Sequence, residues 1–179
     1  MLPPFSNSQE METASLTFGR NLDRFIPFSL AHETTAAPTG MDDCTFCRIV
    51  SKQIPSEILY ENEHAVSILD INPIHYGHSL IIPKRHCKDF LELPQETFSS
   101  ILDAANVVSH ALVKGLKLEG FNLFSNNGKI AGQSVFHFHL HITPRYEDDN
   151  IRFVLKLKKY SNGEMEHYAR LIKQHIQST

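Results

Sequence analysis

The run Gly132-Gln133-Ser134-Val135-Phe136-His137-Phe138-His139-Leu140-His141-Ile142 sets three histidines two residues apart with apolar residues between them. Alternate side chains of a β-strand share a face, so His137, His139 and His141 would stand in a row, about 6.6 Å apart at 3.3 Å per residue. Phe136, Phe138, Leu140 and Ile142 would then face the core. A neutral imidazole is a nucleophile at pH 7, and its second nitrogen can hold a proton, so such a row suits nucleophilic attack and proton handling. Two blander readings stand beside this one. A solvated polar face more often uses Lys, Thr or Glu, and ligands from one straight strand converge poorly on a tetrahedral metal ion.

Cys44-Thr45-Phe46-Cys47 is a second constellation, a C-x-x-C that by itself suits metal binding or redox chemistry. A redox role wants a βαβ setting, which the pattern of elements lacks; zinc wants two more ligands. Cys87 reads as a small isolated thiol. Three cysteines are too few for a secreted disulfide framework, which points to a reducing, cytoplasmic setting. Asp70, just before Asn72-Pro73, is either a turn-initiating residue or an acceptor for ligand hydroxyls.

The elements that must position these groups follow from periodicity and punctuation. Asp43 is the expected N-cap of a short helix over 45–52 that Ile54-Pro55 ends. Residues 57–60 and 65–69 read as strands about a polar turn, and 79–82 as a third strand closed by Pro83. Phe98, Ile101, Leu102, Ala105, Val108 and Leu112 fall at helical spacing within a long helix from Pro94 to about Lys114, ended by Gly115 or Gly120. Strands are expected over 121–125, 135–143 and 151–157, and a last helix over 164–176. Short hairpins around one main helix make an antiparallel α+β domain.

Composition sets the limits. The 179 residues carry a net charge of −3, and no basic run exceeds a patch such as Lys156-Leu157-Lys158-Lys159, so broad capture of nucleic acid is not signalled; no apolar stretch approaches the ~20 residues that a membrane span needs. Residues 1–40 are rich in Ser, Thr and Pro, lack any sustained period, and read as a disordered extension; 41–179 form the domain. They resemble neither a transit peptide nor a secretory signal.

His-apolar-His-apolar-His after Gly-Gln-Ser resembles the signature of the histidine triad (HIT) family. The likeness extends over Phe46 and Ile49, Ile54-Pro55, Leu69 to Pro73, Gly77 to Lys84, His86, Asn126-Asn127-Gly128 and Pro144-Arg145. It is nearest the bacterial-type branch that opens with Cys-x-x-Cys. The resemblance implies a HIT fold: a five-stranded antiparallel sheet, one long helix, a short N-terminal helix and a C-terminal helix. It also implies a nucleotide hydrolase in which His139 attacks the α-phosphorus, His141 binds the phosphate, Gln133 and Ser134 stabilise charge and handle the leaving group, and His78 adds a further imidazole. Asp70 and Ile71 match positions holding ribose and base, Asn126 and Gly132 would contact phosphate or ribose, and Phe46 and Ile49 would line the base pocket. Cys44, Cys47, His86 and His137 match the ligands of a structural zinc. Family members pair as homodimers through the long helix and a strand. The implied substrate is a purine nucleoside phosphoramidate or similar conjugate. The alternatives are a dinucleoside polyphosphate and, in another class, a non-catalytic zinc-stabilised nucleotide-binding scaffold. The Trp-Pro C-terminus of the phosphoramidase branch is absent: the chain ends Gln177-Ser178-Thr179 and has no Trp. The remaining histidines, among them His64, His75 and His110, carry no motif and read as surface groups.

Overall fold

The computed structural model describes residues 43–152 and 154–176; the extension expected over 1–40 lies outside them. Five strands form one antiparallel sheet: β1 (Ile58–Glu61), β2 (Ala65–Leu69), β3 (Ser79–Pro83), β4 (Gly120–Phe124) and β5 (Leu140–Arg145), in the spatial order β1-β2-β3-β5-β4. Three α-helices accompany it: α1 (Thr45–Val50), α2 (Gln95–Leu116) and α3 (Glu164–Lys173). The antiparallel α+β class read from the sequence is the class observed.

Alternation along the inner strands loads both faces of the sheet. Ala65, Ile81 and Ile142 face α2 and pack with Ile101, Ala104, Ala105, Val108 and Leu112. Val66, Ile68, Leu80 and Ile82 face the other way, against Phe46 and Ile49 of α1. Each of the Val, Leu, Ile and Phe side chains among them, fully buried, contributes about 1.5–3 kcal/mol. The central position of β2 and β3 explains their near-continuous apolar runs; β1 and β4, at the edges, are half open.

The largest departure from expectation is where the last strand begins. The sequence suggests a strand over 135–143, yet β5 starts at Leu140, and residues 135–137 form a bend. Ladder pairing with β3 stops at Ile81↔Leu140. Pro83 has no N–H to continue a ladder, and Phe138 N–H donates instead to the carbonyl of Cys87, at 2.6 Å. His137 and His139 therefore precede the strand, and only His141 belongs to it.

Smaller differences have equally local causes. The first helix ends at Val50, and its N-cap is Cys44, with no side-chain cap, rather than Asp43. Neither Gly115 nor Gly120 ends α2: Lys117 takes the left-handed cap conformation (φ 53°), Gly115 stays helical and Gly120 opens β4. Strands β1 and β4 are each displaced by a residue from the expected spans, and α3 stops at Lys173. No strand forms among the described residues of 151–157. No helix among the described residues is long and apolar enough to cross a membrane.

Candidate active site and metal cluster

The bend before β5 splits the three histidines into two environments. The ring of His137 is fully buried, and its Nε2 lies 2.9 Å from the carbonyl oxygen of Pro83. A carbonyl only accepts, so Nε2 carries the proton and Nδ1 presents a lone pair. That lone pair points at the sulfurs of Cys44 and Cys47, at 3.4 and 3.5 Å, while Cys47 Sγ lies 3.2 Å from His86 Nδ1. A sulfur and a nitrogen sharing one tetrahedral zinc at 2.3 and 2.0–2.1 Å are about 3.6 Å apart. Two cysteines and two histidines thus converge with metal-ligand spacing. Burial first, then the adjacent Cys44, pushes the Cys47 thiol up to about 12, and burial pulls His137 down to about 4. A cation at their centre is what would draw the thiols to thiolate, and the set fits one.

His139 has the same kind of constraint with a different outcome. Its Nδ1 donates to the carbonyl of its own neighbour two residues back, His137, at 2.8 Å, which leaves Nε2 with the lone pair. Phe46 packs edge-on against this ring at 5.0 Å, and His141 lies beyond, with ring centroids 4.8 Å apart.

His141 is set by a chain of donors. Ile74 N–H donates to His78 Nδ1 (3.2 Å), so the proton of His78 is on Nε2 and is donated to His141 Nδ1 (2.9 Å). The proton of His141 is therefore on Nε2, a buried atom with no hydrogen-bond partner among the described residues. Phe124, cross-strand from His141 in β4, stacks on the same ring at 4.7 Å and 11°, with His78 stacked at 5.1 Å. Burial lowers the pKa of His78 and His139, and burial together with the neighbouring imidazoles takes His141 to about 4. At neutral pH the site holds three uncharged rings, with a lone pair on His139 Nε2 and a buried N–H on His141 Nε2 that has no partner among the described residues.

The other expected residues are distributed unevenly around this core. Asp70 Oδ2 lies 3.4 Å from His78 Nδ1, while its Oδ1 accepts the N–H of Asn72 in the turn foreseen for it. Ile71 is open to solvent, and Ile49 is ordinary core beside Ile68 and Leu80. Gln133 is buried with its amide fully occupied: it accepts from Gly128 N–H and donates to the carbonyls of Lys88 and Val135. It braces the loop that carries Gly132 (φ +90°), whose open face lies toward the Asn126 amide. Ser134 is exposed and borders a small cleft with Thr45 and His86, on the metal side. Phe124, and the carbonyls of Pro83 and Cys87, were not singled out in the sequence. Their contributions come from cross-strand pairing and backbone direction, which residue type does not encode.

The chain matches the HIT domain over residues 51–148. It belongs to the HIT family. A HIT-like protein of Methanocaldococcus jannaschii is 38% identical over 73% of this chain and 98% of its own length. An adenylylsulfatase of Arabidopsis thaliana is 37% identical over 77% of this chain and 72% of its own, and an adenosine 5′-monophosphoramidase of Saccharomyces cerevisiae 40% over 63% and 70%. Among solved structures, a HIT family member from Bacillus subtilis superposes with a TM-score of 0.73 at 34% identity, covering 76% of this chain and 99% of that one. A zinc-bound histidine triad protein from Mycobacterium smegmatis has a TM-score of 0.60 at 36% identity, covering 76% and 100%. The five-stranded sheet and long helix of this HIT protein are thus those of the family.

Proposed function

We propose that this HIT protein hydrolyses purine nucleoside 5′-monophosphate conjugates at the α-phosphorus through a covalent nucleotidyl-His139. The observation that carries the reading is the pair of enforced tautomers: the His137 carbonyl holds the Nδ1 proton of His139, leaving Nε2 free to attack, and His78 leaves the His141 N–H free to donate. In the first step the Nε2–P bond forms and the bond from phosphorus to the leaving group breaks. In the second, water attacks phosphorus, the P–N bond breaks, and the nucleoside monophosphate departs. His141 Nε2–H donates to a phosphoryl oxygen as charge builds there, a contribution that for one well-placed donor reaches about 3–4 kcal/mol. Asp70 and Ile71 take the ribose and base, with Phe46 behind the reacting ring.

The conjugates named for two relatives differ in leaving group, an amine in one and a sulfate in the other, and both are joined to the α-phosphorus of AMP. That shared feature supports the substrate class and leaves the leaving group to experiment. Cys44, Cys47, His86 and His137 hold a structural zinc that ties α1 to the segment entering β5.

The test is release of AMP from adenosine 5′-phosphoramidate, adenylylsulfate and a dinucleoside polyphosphate by the wild type and by His139→Gly. Loss of turnover in the variant, with an adenylyl adduct on the quenched wild type only, is the expected result. Equal turnover by the two proteins would overturn the reading, and no turnover by either would leave a nucleotide-binding scaffold.

A further inference from the structure

We infer that Phe124 is a positioning residue for the reaction proposed above: its ring lies flat on His141, fixes the plane of that imidazole and keeps the Nε2–H dry until a phosphoryl oxygen reaches it. The effect on rate rests on that reaction. The effect on His141 itself is readable in the free protein.

Phe124 packs on the histidine rather than in the core. It closes β4 directly across from His141 of β5, and the two rings stack with centroids 4.7 Å apart and planes 11° apart. Neither apolar cluster of the domain contains it. The α2 side of the sheet is filled by residues such as Ile101, Val108 and Ile142, and the α1 side by Phe46, Ile68 and Leu80. A large ring on an edge strand, outside both clusters, thus has an imidazole as its stacking partner.

The need for such a partner follows from what else holds His141. The terminal torsion of a histidine is broad and roughly two-fold, so neighbours must set its ring plane. His78 fixes one edge by donating to Nδ1 at 2.9 Å, and His139 stands tilted at 63° with centroids 4.8 Å apart. A single hydrogen bond at one edge leaves a ring free to rock about that contact. The flat face of Phe124 removes this freedom. It also shields a ring whose Nε2 is buried and has no partner among the described residues. A donor kept in that state gains the full worth of its first acceptor, whereas a donor already on water must give that water up. An aliphatic side chain of similar size fills the space without offering a flat face.

The test compares Phe124→Leu with Phe124→Tyr in full-length, metal-loaded protein. Leucine keeps apolar volume and loses the face; tyrosine keeps the face. Proton NMR of the nitrogen-15-labelled free protein follows exchange of the His141 Nε2–H with water. Exchange should quicken at least about tenfold in Phe124→Leu and stay near the wild-type rate in Phe124→Tyr. For the conjugate that turns over, kcat should fall about two- to twelvefold in Phe124→Leu with KM little changed, the size of an aromatic pair at about 0.5–1.5 kcal/mol and 1.36 kcal/mol per decade. Phe124→Tyr should restore it. Unchanged exchange or unchanged kcat in Phe124→Leu overturns the inference. A tyrosine variant as impaired as the leucine one also overturns it, since Phe124 would then act by its size and polarity alone. Quickened exchange rescued by tyrosine, in a protein that turns over none of the conjugates, upholds the placement of His141 and defeats the reaction instead. Should Phe124→Leu fail to fold, Phe124→Met replaces it with the same expectations.

Discussion

Replacing His78 by leucine tests the tautomer chain most directly. In the wild type Ile74 N–H and His78 Nε2–H together force the proton of His141 onto its Nε2. Leucine fills much of the same volume, so the sheet is kept, but His141 Nδ1 loses its donor in a buried place. An unsatisfied buried polar group costs about 1–3 kcal/mol. His141 can recover part of this by moving its own proton to Nδ1 or by rotating, and either change withdraws the N–H from the phosphoryl oxygen. If the loss falls on the transition state, kcat drops roughly five- to 150-fold at 1.36 kcal/mol per decade. His78→Gln can still present an N–H to His141 and should recover part of the rate. Two assays are needed: steady-state AMP release, and nitrogen NMR of the histidine rings, which reads the tautomer of His141 as a single Nε2–H form in the wild type and a mixture in His78→Leu. A leucine variant within twofold of wild-type kcat, or a wild-type His141 protonated on Nδ1, would refute the reasoning.

Burial holds His78 and His139 below the ordinary imidazole range and takes His141 to about 4. The nucleophile works unprotonated, so kcat/KM should stay level as pH falls through ~6.5 and decline only below it; an acid limb at or above that value contradicts the burial argument. The same depressed values make the folded protein bind fewer protons than the unfolded chain between ~6.5 and about 4. Stability is then full above that window and is lost as pH falls through it, which thermal melts across the range will read. Cys44→Ser or His86→Ala should lower both the zinc content and the Tm of the purified protein, and a full metal complement in both variants would remove zinc from the account. Lys117 holds a left-handed conformation at the end of α2. Lys117→Gly should stabilise the fold by about 0.5–1 kcal/mol, a rise of roughly 1–4 °C in Tm; a fall would mean the lysine side chain contributes more than its backbone costs.

Much of this architecture was legible because burial pattern and element coincide. Ala65–Leu69 was readable to the residue, since a strand buried on both faces is apolar almost throughout. The long helix was legible from its stripe, although Leu102, counted in that stripe, is exposed, and the domain class was legible from the alternation of short strands. What could not be read depended on partners far away in the chain. Alternation that suggests a strand from 135 continues through the bend; the interruption comes from Pro83 and from the Cys87 carbonyl, each more than 50 residues before its partner His137 or Phe138. Gln133 and Ser134 looked alike as polar neighbours of the triad, yet one is consumed by three backbone groups and the other faces solvent. Proton positions on His137, His139 and His141 were likewise hidden, because each is decided by a carbonyl or by an imidazole 63 residues away.

The bend before β5 has an evolutionary corollary. Across five residues the chain hands one ring to the cysteines, turns, and delivers two others toward a different compartment, with a phenylalanine anchoring the pivot. Conservative replacements of the intervening apolar residues leave that schedule intact. Adding or removing a single residue between positions 137 and 141 would break the offset between the ring given to the cysteines and those given to the other compartment, so insertions and deletions should be purged from this stretch far more severely than point changes.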